Sequence, residues 1–184
     1  MEIKITTKQL LMVLLILSWI IFIGLCVEAG GLLSNTVYAL TLNPAAAKSY
    51  WMGADLSNLL QYDRGYFLVQ TFFMIVVAVL KALMFDRIIR TLHNKKLNMA
   101  KPFNKDLTRF VSLISYMALA IGFFCMWGNK YAEWLTQQHV NMPDIHLLGL
   151  EGASIWMFMG VILLVIAQIF KRGIEIQTEN ELTV

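Results

Sequence analysis

The sequence predicts an all-α integral membrane protein, a four-helix up-down bundle with short amphipathic helices in its outer loops. Three observations carry that expectation. Residues 9–33, 66–89, 107–128 and 154–170 are each apolar over a length near or above the roughly 17 to 25 residues that cross about 30 Å of hydrocarbon. The composition, 58% hydrophobic with 11 Met and 11 Phe in 184 residues and a mean hydropathy of +0.63, exceeds the apolar content of an ordinary water-soluble domain. The cations between the apolar stretches fall almost entirely on one side. Backbone groups in lipid must pair within their own segment, which a helix achieves alone. With no compositional break, residues 1–184 are expected to form one domain with a cytoplasmic tail over 171–184.

The first apolar run, 10–25, is longer than a signal-peptide core, and Glu28 interrupts the place of a cleavage site, so this span is expected to be retained. Outside the membrane, residues 34–65 carry Tyr38, Tyr50, Trp51 and Tyr62, which suit an interfacial belt. Within that segment, 55–61 places Leu56, Leu59 and Leu60 for an amphipathic helix. The second span holds Lys81, six residues before Arg87 and therefore about 9 Å inside the inner boundary. Its stem is expected to snorkel back to that boundary, a functional buried cation being the alternative. Asn104 can cap the third span, with Leu107 and Phe110 opening its apolar face. Residues 130–140 set Tyr131, Trp134, Leu135 and His139 at helical spacing, predicting a second surface helix. Ser112, Ser115, Gly122 and Gly160 look like close-packing positions between spans.

Orientation follows from the cations. Lys4, Lys8, Arg87, Arg90, Lys95, Lys96, Lys101, Lys105, Arg109, Lys171 and Arg172 share one side, against Lys48, Arg64 and Lys130 on the other. Both termini and the central loop are therefore expected in the cytoplasm. The net charge of +3 reflects this topology, with the lipid bilayer as partner and no direct contact with nucleic acid.

The ionisable residues limit the chemistry. Glu28 lies 20 residues beyond Lys8, about 30 Å away, and is expected to be wet at the far interface. His139, His146, Asp144 and Glu151 share an outer loop without metal-ligand spacing and read as solvated residues, so no metal is assigned. Cys26 and Cys125, at similar depth in spans that run the same way, are expected to be free thiols. No span contains histidine to hold a haem, and there is no Walker loop, nucleophile elbow or HExxH. No catalytic residue, cofactor or enzymatic activity is expected.

The cytoplasmic pieces are the most specific. The central loop reads Lys101, Pro102, Phe103, Asn104, and the last helix ends in Lys171, Arg172, Gly173, Glu175, Gln177, Glu179, Asn180, Glu181, Leu182, Thr183, Val184. In these residues the sequence resembles the bacterial family catalogued as domain of unknown function 2975, small four-span proteins with such a loop and tail. Here Ala100 and Lys101 stand where many members have glycine. The resemblance implies a bacterial cytoplasmic (inner) membrane location and a frequent neighbour, a small helix-turn-helix regulator of the Cro/repressor type. The expected function is to sense or respond at the membrane and control such a regulator. Lys101, Pro102, Phe103, Asn104, Arg172, Gly173, Glu175, Gln177, Glu179, Asn180, Glu181 and Leu182 would form the partner-binding face. The tail carboxylates would compete with DNA phosphates for the regulator's basic surface, or would pair with Lys95, Lys96, Lys101 and Lys105 of the same chain. The alternatives are a small-molecule transporter or channel subunit, built as a homo-oligomer, and a membrane scaffold subunit.

Overall fold

A computed structural model describes the backbone over residues 7–93 and 104–182 and the side chains over 9–93 and 104–179. Four long helices dominate: α1 (Thr7–Thr41), α3 (Arg64–His93), α4 (Lys105–Gln137) and α5 (Ala153–Leu182). Between α1 and α3 lie a 3-10 turn, Pro44–Ser49, and the short helix α2 (Ser57–Tyr62). A second 3-10 turn, Ile145–Leu148, joins α4 to α5. All four long helices meet the length and apolarity needed to cross a membrane. The described residues contain no strand, so the all-α expectation holds.

Two boundaries differ from the sequence expectation. Residues 130–137 do not leave the third span as a surface helix but continue α4. Gly128, read as its end, is instead a packing position, since a Cβ there would lie 2.7 Å from Leu150 and 3.0 Å from Phe73. The tail from 171 likewise continues α5 to Leu182. Polar residues that stop an apolar run are still good helix formers, so hydropathy marks the hydrocarbon edge and not the helix end. The expected amphipathic helix at 55–61 is present as α2, with Leu56, Leu59 and Leu60 buried.

The helices pack in chain order, α1 on α3, α3 on α4 and α4 on α5, leaving α1 and α5 as the two edges. The pairs are antiparallel. Tyr66 meets Trp134 while Phe73 meets Phe124, and Gly122 meets Met157 while Gly160 meets Leu119. Toward the cap the less exposed face of α1 widens to take in Glu28, Gly31, Asn35 and Leu40, and along the whole helix it carries Leu11, Leu15, Ser18, Phe22, Leu25, Ala29, Leu32, Thr36 and Ala39. Their alternating steps of four and three make a single seam, and the rest of the apolar surface from Leu10 to Val27 is exposed. The α4–α5 seam is closer. A Cβ on Gly122 would fall 2.9 Å from the Met157 backbone nitrogen, and Ser115 Oγ donates to the Gly160 carbonyl at 2.8 Å. Small residues and an interhelical hydrogen bond are what hold helices together in lipid. Ser112 instead bonds the Thr108 carbonyl of its own helix.

The end carrying α2 and both 3-10 turns is a packed cap. Tyr50 is fully buried, its hydroxyl donating to the Leu32 carbonyl at 3.0 Å and meeting Thr36 Oγ1. It was expected in a half-wet belt. Burial pushes the phenol up to about 12, so it remains a neutral donor near pH 7. Its ring stands edge-on to Phe67, 5.8 Å between centroids. Asn43 caps the first 3-10 turn by accepting from Ala45 N, and Asn129 Nδ2 ties α4 to the Leu150 carbonyl at 2.9 Å. The opposite end carries the cations Arg87, Arg90, Lys105, Arg109, Lys171 and Arg172.

Candidate functional site

Side chains tilt toward the N-terminus of their own helix, and this decides where Lys81 goes. The N-terminus of α3 is at the cap, so the ammonium rises away from the basic end and donates to the Gly149 carbonyl at 3.2 Å. The snorkelling expected toward Arg87 does not occur. Helix α1 runs the other way, so Glu28 leans down from the cap toward the same level. A Cβ on Gly149 would lie 3.3 Å from Glu28 Oε1, which places that carboxylate beside the loop carbonyl that Lys81 holds. Gly149 has φ +66 and closes the turn after Leu148, a left-handed position that favours glycine.

The loop supplies the remaining polar groups. Nδ1 of His146 pairs with Oε2 of Glu151, and that carboxylate, with Asp144, pushes the imidazole above its ordinary range. Glu28, Trp51, Met74, Lys81, His146 and Glu151 all line a cavity of about 280 Å³. Lys81, His146 and Glu151 also border an adjoining groove of about 590 Å³, whose other walls are Gly152, Ile155, Trp156 and Met159 of the α5 edge. Trp51 closes the α1 side. Its ring lies so close to Gly31 that a Cβ there would sit 2.0 Å from Cζ3, so only glycine fits. The Trp51 indole N–H is buried without an acceptor from the described residues.

The cluster draws on α1, α3 and the α4–α5 loop. Among the described residues neither Lys81 nor Glu28 has an ion-pair partner. An ammonium has three donors, and one is used here. Ionisable groups at membrane depth are costly and usually functional, and non-helical backbone there must line protein or a polar cavity. The Gly149 segment satisfies that condition by lining this one. Among the described residues, no group of three His, Cys, Asp or Glu is placed to hold a metal.

The residues expected to bind a partner lie elsewhere. Asn104 caps α4, accepting from Asp106 N at 2.8 Å. Lys101, Pro102 and Phe103, with Lys95 and Lys96, fall outside the described residues. Arg172 donates to Glu175 at 3.0 Å one turn on, and Gln177 and Glu179 are exposed on the same helix. Gly173 lies between them, and Asn180, Glu181 and Leu182 continue the helix. The tail carboxylate Glu175 thus pairs within its own helix. Cys26 and Cys125 are both free thiols, the first exposed and the second buried.

Sequence reasoning missed Glu28, His146 and Glu151 as parts of one site. Counting rise from the nearest cation put Glu28 and Lys81 at opposite interfaces. The direction of each side chain along its helix, readable from topology, was the signal that could have joined them.

Fold and cleft together define a four-span membrane protein with a charged cleft at one end. Residues 38–184 match a family model, and the chain belongs to that family, described as protein of unknown function (DUF2975). The match includes Lys81, His146 and Glu151 but begins beyond Glu28. Comparison with curated proteins and with solved structures returned no match.

Proposed function

We propose that this protein senses a stimulus at the membrane and controls a small helix-turn-helix regulator through its basic, cytoplasmic end. The observation that carries the reading is the continuity of α5. Its first turn borders the charged cleft at Ile155, just beyond Gly152, and the same helix runs about 30 to 36 Å on to the exposed Glu175 and Glu179. A change in the cleft can therefore tilt or rotate one rod whose far end carries carboxylates suited to a basic surface. The cationic bias supports assigning that end, with both termini, to the cytoplasmic face of a bacterial inner membrane.

Capture of the regulator by the full chain, compared with a chain lacking residues 174–184, tests the output. Loss of capture is expected, and unchanged capture removes the tail from the function. Labelling of a tag at residue 1 or 184 by an impermeant reagent in intact cells would overturn the orientation. A transporter is the second reading, favoured by an intramembrane cation inside a cavity. It predicts solute flux in liposomes that Lys81→Ala abolishes and the tail deletion does not.

A further inference from the structure

We propose that the cleft between α1 and α5 binds a phospholipid with a zwitterionic, primary-amine headgroup. Its phosphate sits on Lys81, its ammonium lies between Glu28 and Glu151, and its acyl chain runs along Ile155 and Met159. The inference deepens the sensing reading and rests on it only in taking this cleft as the input site.

Charge selects the headgroup. The cavity wall offers one ammonium with donors to spare and two carboxylates, one paired with His146 and one unpaired. A purely anionic ligand would meet Glu28 and Glu151 at close range, and a purely cationic one would meet Lys81. A ligand with both charges satisfies all three groups. Phosphate oxygens accept from Lys81, and a primary ammonium donates to carboxylates, which a quaternary one cannot do.

The groove selects an amphiphile over a water-soluble zwitterion. The charged cavity continues into a space walled by Ile155, Trp156 and Met159, and Ile155 is 69% exposed on the face of a spanning helix. Because α1 and α5 are the edges of the bundle, that space opens sideways, where acyl chains are. The groove, about 590 Å³, lies within the about 300 to 1,000 Å³ that small-molecule sites have, and the charged cavity adds about 280 Å³. Headgroup and first methylenes fit such a space, while the rest of the chain stays in the bilayer.

The test uses the full chain in detergent, titrated with dihexanoyl phosphatidylethanolamine, dihexanoyl phosphatidylglycerol and free phosphoethanolamine. Tryptophan emission provides the readout, since Trp51 and Trp156 both border the cleft. The ethanolamine lipid is expected to bind at least about tenfold more tightly than either other probe, and Lys81→Met or Glu28→Gln to weaken it by a similar factor. Should Lys81→Met fail to fold, Ile155→Trp fills the groove on an exposed helix face and is expected to cost the same binding with the helical circular dichroism unchanged. Equal binding of phosphatidylglycerol, or a free headgroup as tight as the lipid, overturns the proposal, the latter in favour of a soluble solute. Absence of saturable binding by any probe also overturns it. No regulator is present in this assay, so lost regulator capture with intact lipid binding fails only the output reading.

Discussion

The cap and the α4–α5 seam are both well packed, yet different physics holds them. In the cap, Tyr50, Leu56, Leu59, Phe67, Leu135, Leu148 and Leu150 are almost fully removed from solvent, around hydrogen bonds that tie the first 3-10 turn to α1. That is the pattern of a water-soluble core, driven by removal of apolar surface from water. The α4–α5 seam lies among spans whose outer surfaces remain apolar, such as Ile155, Phe158, Val161 and Val165. Burying a leucine there gains little, because lipid is as apolar as leucine. Close approach at Gly122 and Gly160 and the Ser115 bond take its place. Helix α1 joins the two regimes, packing by one stripe along the spans and by Thr36 and Leu32 in the cap.

The largest effect is expected where the water rule applies. Tyr50→Ala removes a fully buried ring and leaves Thr36 without its phenol partner, so a loss of about 3 to 5 kcal/mol is expected in a denaturant titration. If the cap were as insensitive as a lipid-facing surface, the shift would be under about 0.5 kcal/mol and the contrast would fail.

Next comes the seam. Gly160→Val must push Leu119 aside, including its backbone nitrogen 3.0 Å from the new Cβ, at a cost of about 1 to 3 kcal/mol. Ser115→Ala removes a side-chain bond between these helices and is expected to cost about 0.6 kcal/mol in lipid. A larger loss for Ser115→Ala than for Gly160→Val would show that hydrogen bonding, not close approach, governs the seam. Asn104→Ala, away from both regions, uncaps α4 and is expected to cost about 1 kcal/mol, read as earlier melting of the helical signal.

Much of this architecture was legible in the sequence because bilayer thickness imposes it. The four spans, the Asn104 cap, α2 and the small-residue positions at Gly122, Gly160 and Ser115 all follow from hydropathy, capping chemistry and spacing. The continuation of α4 through residues 130–137 was not legible, because Asn129 and Lys130 end an apolar run without ending a helix. The cleft was less legible still. Glu28, Lys81 and Glu151 are far apart in sequence, and only the opposed directions of α1 and α3, with a left-handed Gly149, bring their ends to one level.

The loop over 144–151 belongs to neither regime, and pH separates it from both. Glu151 first, then Asp144, holds His146 above its ordinary range of about 6.5. A raised imidazole means that the folded loop prefers the proton. The pair's contribution is therefore full below about pH 6.5 and is lost as pH rises through the raised value. Lys81 and Glu28 face the same cavity. A nuclear magnetic resonance titration of His146 is expected to show a midpoint above about 6.5 that Glu151→Gln returns toward it. His146 and Glu151 are 73% and 58% exposed, so the energetic effect is small and screened by salt. The difference in melting between the native chain and His146→Gln should therefore be modest near pH 6 and close near pH 9. A difference that grew with pH would mean that His146 acts in the cleft as a neutral group, bonded to something other than Glu151.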